Sequence, residues 1–291
     1  MSIDPNLPRR KGDIPLCCGS SAAAFEAARE QGRGALVGYL PVGYPSVAGS
    51  LDALRALCGV GGDGPGVDLV EIGLPYSDPI MDGPVIQRAG TKALERGVRT
   101  ADVFAAVEAV RATGTPAVVM TYWNLVDHYG PDAFARDLAN AGGSGLITPD
   151  LIPDEADDWF AASETHGLDR VFLVSPSSTD ERIVSTVAAC RGWVYATSVM
   201  GVTGTRTSSP SAAPELVSRI RALAPGTPIG VGLGVSTGDQ AADVVSYADA
   251  VIVGSAFIKP LLAAEAAGRP EDLSGLRSVL ADLAGGVRRR S

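Results

Sequence analysis

Short apolar runs alternate with amphipathic stretches along nearly the whole chain. The runs at 35–40, 68–72, 117–122, 145–148, 170–174, 193–198, 228–232 and 250–253 are rich in Val, Ile, Leu and Ala with little polar alternation. That is the pattern of strands buried on both faces of a parallel sheet. Between them, apolar positions recur at helical spacing over 47–58, 85–96 with 101–112, 132–141, 155–165, 180–189, 215–223 and 238–247, and again from about residue 262 onward. A helix at 21–31, rich in Ala and Glu and stopped by Gly32 and Gly34, precedes the first strand.

Strands alternating with helices define an α/β fold. Eight such units in roughly 250 residues have the size and count of a (β/α)8 TIM barrel, here with an extra N-terminal helix. A doubly wound open sheet is the competitor. It is disfavoured because the count closes and no G-x-G-x-x-G opens the first unit. The expected organisation is an N-terminal extension at 1–20, one barrel domain at 21–283 and a frayed tail at 284–291 carrying three arginines. Ser178 with Glu181, and Thr237 with Gln240, have capping-box spacing. Pro131 and Pro214 fit first helical turns. The glycine-rich stretch at 59–66 predicts a flexible insertion at the stability face of the barrel.

Composition narrows the function. With 291 residues, 46% of them apolar, the chain can bury one large core, and its 35 glycines are spread along it rather than gathered into a linker. A net charge of −9 excludes general binding to nucleic acid or anionic membranes, so any anion must be held locally. Cys17, Cys18, Cys58 and Cys190 lack metal or disulfide-framework spacing and read as reduced thiols. The polar N-terminus lacks a signal-peptide core, which predicts a cytoplasmic protein.

The stretch at 67–84, V-D-L-V-E-I-G-L-P-Y-S-D-P-I-M-D-G-P, concentrates the candidate chemistry. Glu71 lies near the end of the second strand, with Asp78 and Asp82 on the following loop, where barrels of this class build active sites. A carboxylate in an apolar strand costs several kcal/mol (order of magnitude) unless paired, so Glu71 is either tied to an arginine or a working group. Asp78 and Asp82 also fit ordinary turns. G-L-G at 232–234 and V-G-S at 253–255 end the seventh and eighth strands, where backbone N–H groups and a helix N-terminus can hold phosphate. Either cluster alone would equally serve a tight turn. The segment 200–209, M-G-V-T-G-T-R-T-S-S, is placed to close over a ligand, and Tyr39 and Tyr195 can line the pocket or belong to the core. His128 and His166 form no metal pattern and read as structural; Lys259 lies beyond the eighth strand, so no Schiff-base lysine sits at a strand end.

These residues resemble the tryptophan synthase alpha subunit family. The match runs through V-E-I-G-L-P-Y-S-D-P-I-M-D-G-P at 70–84, Y-L-P-V-G-Y-P at 39–45, T-Y-W-N at 121–124, P-D-L at 149–151, G-V-T-G at 201–204, G-L-G-V-S at 232–236 and V-G-S-A-F-I-K at 253–259. The resemblance implies retro-aldol cleavage of indole-3-glycerol phosphate to indole and glyceraldehyde 3-phosphate. It makes Glu71 the general acid and base and Asp82 the acceptor of the indole N–H. Tyr39, Tyr122, Tyr195, Thr203, Gly204, Gly234, Gly254 and Ser255 become substrate-binding residues, with Pro75 and Asp78 at the partner interface. The implied partner is a beta subunit, in an alpha2beta2 complex, which holds pyridoxal phosphate and receives the indole; this chain needs no cofactor or metal of its own. Three positions depart from the family pattern: Val199 stands where many relatives carry Arg, Tyr44 replaces an acid, and Ile152 lengthens the P-D-L-P motif. An idle binding subunit that only activates a beta partner, and another phosphosugar barrel, are the alternatives.

Overall fold

The computed structural model describes residues 20–197 and 212–289. Its strands are β1 (Ala35–Pro41), β2 (Leu69–Gly73), β3 (Ala117–Met120), β4 (Gly145–Ile147), β5 (Asp169–Val171), β6 (Leu173–Val174), β7 (Val194–Thr197), β8 (Ile229–Gly232) and β9 (Ala250–Val253). All pair in parallel, in the order β5-β4-β3-β2-β1-β9-β8-β7-β6. The two ends of this sheet are neighbours in sequence, separated by Phe172 alone. The segment expected as one strand at 170–174 is therefore bent: β5 pairs with β4, β6 pairs with β7, and the Phe172 carbonyl accepts from the Tyr195 N–H at 3.1 Å. That bend closes an eight-position (β/α)8 barrel.

The helices are α1 (Ala22–Glu30), α2 (Val47–Leu57), α3 (Pro84–Glu95), α4 (Asp102–Arg111), α5 (Trp123–Tyr129), α6 (Pro131–Asn140), α7 (Asp157–Thr165), α8 (Asp180–Ala189), α9 (Ala212–Leu223), α10 (Gly238–Val245), α11 (Ser255–Ala266) and α12 (Ser274–Gly286). Several details correct the expectations. Thr179, not Ser178, caps α8, accepting from Arg182 N. A 3-10 turn at Pro153–Glu155 precedes α7, and the helix expected directly after V-G-S runs unbroken from Ser255 to Ala266, taking in the start of the region expected from about 262. The expected tail from 284 is helical through Gly286, and Arg289 pairs with Asp239 at 2.7 Å. Arg277 of α12 ties down the 59–66 insertion, donating to Val60 O at 2.7 Å. Thr237 caps α10 as the spacing implies, but the Gln240 side chain turns to Ser236 N at 2.8 Å.

Because side chains alternate along a strand, one set fills the lumen and the other faces the helices. The lumen set, including Val37, Leu69, Val118, Ile147, Val171 and Trp193, joins Ala24, Phe25 and Ala28 of α1 in one buried cluster. Helix α1 is thus a plug, and burying Phe25 contributes about 2 kcal/mol. Asp169 latches it, accepting from Ser21 N and Ser21 Oγ at 2.7 Å and from Ser20 Oγ at 3.0 Å, while Trp193 Nε1 donates to Ser21 Oγ at 3.1 Å. The lumen is thereby filled at the end where the strands begin. Among the described residues no helix is long and apolar enough to cross a membrane. Asp169→Ala is expected to lower unfolding free energy by about 3 kcal/mol, since it strands three donors at the plug. A denaturant titration followed by tryptophan fluorescence measures this; a loss near zero would show that α1 is not latched.

Candidate active site

Glu71 is the third residue of β2, in register with Tyr39 of β1 and Val118 of β3. It shares the inward-facing alternation with Leu69 and Gly73 and is 1% exposed. No described lysine or arginine pairs with it, and its Oε2 has no hydrogen-bond partner. An arginine partner was the main structural alternative to a working role, and Glu71 lacks one among the described residues. Burial first, and then the charge of Asp82, push its carboxyl from an ordinary 4.5 up to about 8. Burial alone raises Asp82 from 3.8 to about 6. Between those values the pair holds one proton, resident on Glu71, while Asp82 is ionised.

The loop carrying Asp82 is held from two sides. Tyr122, at the end of β3, accepts from Ile80 N at 3.1 Å and Met81 N at 2.9 Å, and Gln87 of α3 donates to Asp82 O at 2.8 Å. Tyr122 thus serves the loop, and its hydroxyl is pushed up to about 12 by burial and by Asp82. Tyr39 and Tyr195 face the same two acids; burial chiefly, with Asp82 and Glu71, raises both phenols well above 10.0 and keeps them neutral. Two glycines make room for them. A Cβ at Gly73 would stand 2.1 Å from the Tyr39 hydroxyl, and one at Gly232 2.4 Å from that of Tyr195.

On the other side of β1, Gly254 and Ser255 open α11, whose N-terminus has no side-chain cap. Its orphan N–H groups and positive dipole end suit an anion. Gly234 adopts φ +72°, a left-handed conformation that favours glycine. Ser236 N is already engaged by Gln240. Thr203, Gly204, Val199 and the rest of the 200–209 segment lie outside the described residues. Asp78 is exposed and accepts from Ser77 Oγ at 2.6 Å, whereas Pro75, expected at a partner surface, is buried near Gly90 of α3. Ile80, 64% exposed on the same loop, is the outward apolar group instead. Among the described residues no cluster of His, Cys, Asp or Glu is arranged to hold a metal.

Some contributors had little signal in the sequence. Helix α5 spans only seven residues and begins at an uncapped Tyr122; its first N–H, on Trp123, is capped at 2.9 Å by Asp150, which arrives from the loop after β4. The P-D-L and T-Y-W-N motifs are thereby two halves of one cap. Gln87 reads only as a polar helix position.

The class these features define is a parallel (β/α)8 barrel, with two acids of raised proton affinity, neutral tyrosines beside them and an uncapped helix N-terminus as its candidate site. The relatives are more specific. The sequence profile of the tryptophan synthase alpha chain matches residues 25–280. The alpha chain of Salinispora tropica is 59% identical over 265 residues, covering 91% of this chain and 96% of that one; that of Nocardia farcinica is 57% identical over 267 residues, covering 92% and 95%. A chain of Mycobacterium tuberculosis tryptophan synthase superposes with a TM-score of 0.84 at 55% identity, covering 93% of this chain and 99% of that one. The chain belongs to the tryptophan synthase alpha chain family.

The raised carboxyl of Glu71 has a measurable sign. A group whose folded value lies above its unfolded one adds stability below the unfolded value and loses it as pH rises toward the folded value. Wild-type stability should therefore fall between about pH 4.5 and about pH 8 relative to Glu71→Gln, by on the order of 4 kcal/mol at the upper end. Denaturant midpoints at pH 5 and pH 8 test this, and a gap that stays constant or narrows would contradict it.

Proposed function

We propose that this chain cleaves indole-3-glycerol phosphate to indole and glyceraldehyde 3-phosphate, a carbon–carbon lyase reaction. The observation that carries the proposal is the coupled pair: a buried Glu71 with an unpartnered oxygen, protonated near neutrality, beside an ionised Asp82. Breaking the bond at indole C3 requires a proton on that carbon. Glu71 in its neutral form supplies it. Positive charge then spreads to the indole nitrogen, where the Asp82 carboxylate accepts the ring N–H and stabilises it. Glu71, now ionised, takes the proton from the glycerol hydroxyl as the bond breaks and the aldehyde forms, which restores the acid.

At the other end of the substrate, Gly234, Gly254 and Ser255 are assigned to the phosphate. Their use of backbone N–H groups suits a chain with a net charge of −9. Tyr39 and Tyr195 are assigned to the walls between the two ends. Proton transfer and electrostatics suffice for this cleavage, so no cofactor is assigned to the chain. A tryptophan synthase beta chain, carrying pyridoxal phosphate, is assigned as the partner in an alpha2beta2 assembly in the cytoplasm. Exposed Asp78 and Ile80, on the loop that carries Asp82, support a link between partner contact and the site.

Purified protein is expected to release indole from indole-3-glycerol phosphate, faster with a beta chain present. Glu71→Gln should lower kcat by about 10²-fold or more and Asp82→Asn by about 10²-fold, with unchanged circular dichroism. Full activity in Glu71→Gln would sink the mechanism.

A further inference from the structure

Among the described residues twelve helices serve eight strand positions, and two of the four beyond one per strand are α3 and α11. Helices α4 and α12 pack beside α2 in the ring, whereas α3 and α11 pack on each other and on β1. Each of this extra pair starts at the site. Asp82 and Gly83 lead into α3, and Gly254 and Ser255 open α11.

Toward their far ends the two helices meet at one carboxylate. Glu265 of α11 accepts from Lys92 Nζ of α3 at 2.5 Å, from the Arg96 guanidinium just beyond α3, and from Tyr44 Oη at 2.9 Å. Arg96 also donates to Pro45 O at 2.6 Å and lies over the Tyr44 ring, 5.8 Å from its centroid. Tyr44, 1% exposed, sits in the loop that leaves β1, the strand of Tyr39. Burial works to raise the Glu265 carboxyl, but the hydrogen bonds from Lys92, Arg96 and Tyr44 outweigh it and hold it down at about 2. Through the neutral range the acceptor stays charged.

An isolated surface ion pair rarely contributes more than about 1 kcal/mol. What distinguishes this one is convergence: three chain segments are joined at Glu265, and each delivers a group to the site. The path to Asp82 is short and stiff, because Gln87, on the same helix as Lys92, donates its side chain to Asp82 O at 2.8 Å and its N–H to Gly83 O at 2.9 Å.

We propose that Glu265 is a positioning residue: it sets the separation between the Asp82 carboxylate and the N-terminus of α11, and so the length of ligand that can engage both. The proposal rests on the assignment of those two groups to opposite ends of one substrate. A clamp of this kind matters only to a ligand that spans the two ends. Inorganic phosphate or indole alone engages a single end and is indifferent to the spacing.

The test uses the full-length wild-type protein, Glu265→Gln and Tyr44→Phe. It compares kcat and KM for indole-3-glycerol phosphate cleavage with the Kd of inorganic phosphate and of indole, each measured alone. Glu265→Gln is expected to lower kcat/KM about tenfold while both single-probe Kd values stay within about twofold, since small misplacements of reacting groups are costly to the spanning ligand only. Tyr44→Phe, which keeps both ion pairs, should move in the same direction by a smaller factor and decides the matter alone if Glu265→Gln does not fold. Unchanged kcat/KM, or parallel losses for phosphate and indole alone, overturns the clamp while leaving the site assignment standing. Wild-type protein that does not cleave the substrate overturns the site assignment, and the clamp with it.

Discussion

A carboxyl group enclosed in the lumen of a parallel barrel, with no described cation beside it, is stable there as the neutral acid. Ionising Glu71 would place a bare charge among apolar walls, and the negative Asp82 nearby makes that harder still. The rest of the site follows from this constraint. On the proposed mechanism the neutral acid donates its proton to carbon, a poor base, and the ionised Asp82 supplies the charge that such a protonation calls for. The two acids differ because one lies inside a strand and the other on a loop, so geometry alone has divided their protonation states.

The barrel fills its lumen from one end. Helix α1 plugs the lumen with Phe25, and Asp169 latches its start, so the strand ends near Glu71 need not be packed for stability. Glycines at inward positions of β2 and β8 then admit tyrosine rings where side chains would otherwise collide. On the proposed reading, a phosphate beside two acids is held by backbone groups. Helix α11 offers its own N-terminus, so positive potential comes from the backbone and is fixed in direction.

Much of this was legible in the sequence because it depends on local pattern. Apolar runs gave the strands, and the placement of Glu71 within β2 and of Gly234, Gly254 and Ser255 just past strand ends follows once the units are counted. The losses have physical causes. Phe172 is as apolar as its neighbours, so nothing local marks the bend at which the barrel closes. Helix α5 is too short to establish a period, and its cap, Asp150, is 27 residues away. Pro75 is no less suited to a surface turn than to a core position until Gly90 is brought beneath it. Gln87, Lys92, Arg96 and Glu265 look like ordinary solvated helix residues; their roles arise only when two helices distant in sequence are laid side by side.

That juxtaposition also bears on the proton pair. Asp82 raises Glu71 through its charge, and its distance from Glu71 is fixed by the loop that Tyr122 and Gln87 hold. A loop displaced outward would weaken that repulsion and lower the proton affinity of Glu71 and, on the proposed mechanism, would also remove the carboxylate from the indole nitrogen. Proton donation and charge stabilisation would therefore fail together. The same loop carries exposed Asp78 and Ile80, so on the proposed reading a contact made there would act on Glu71 through the charge of Asp82. A conformational signal needs only to move one loop whose charge two functions share.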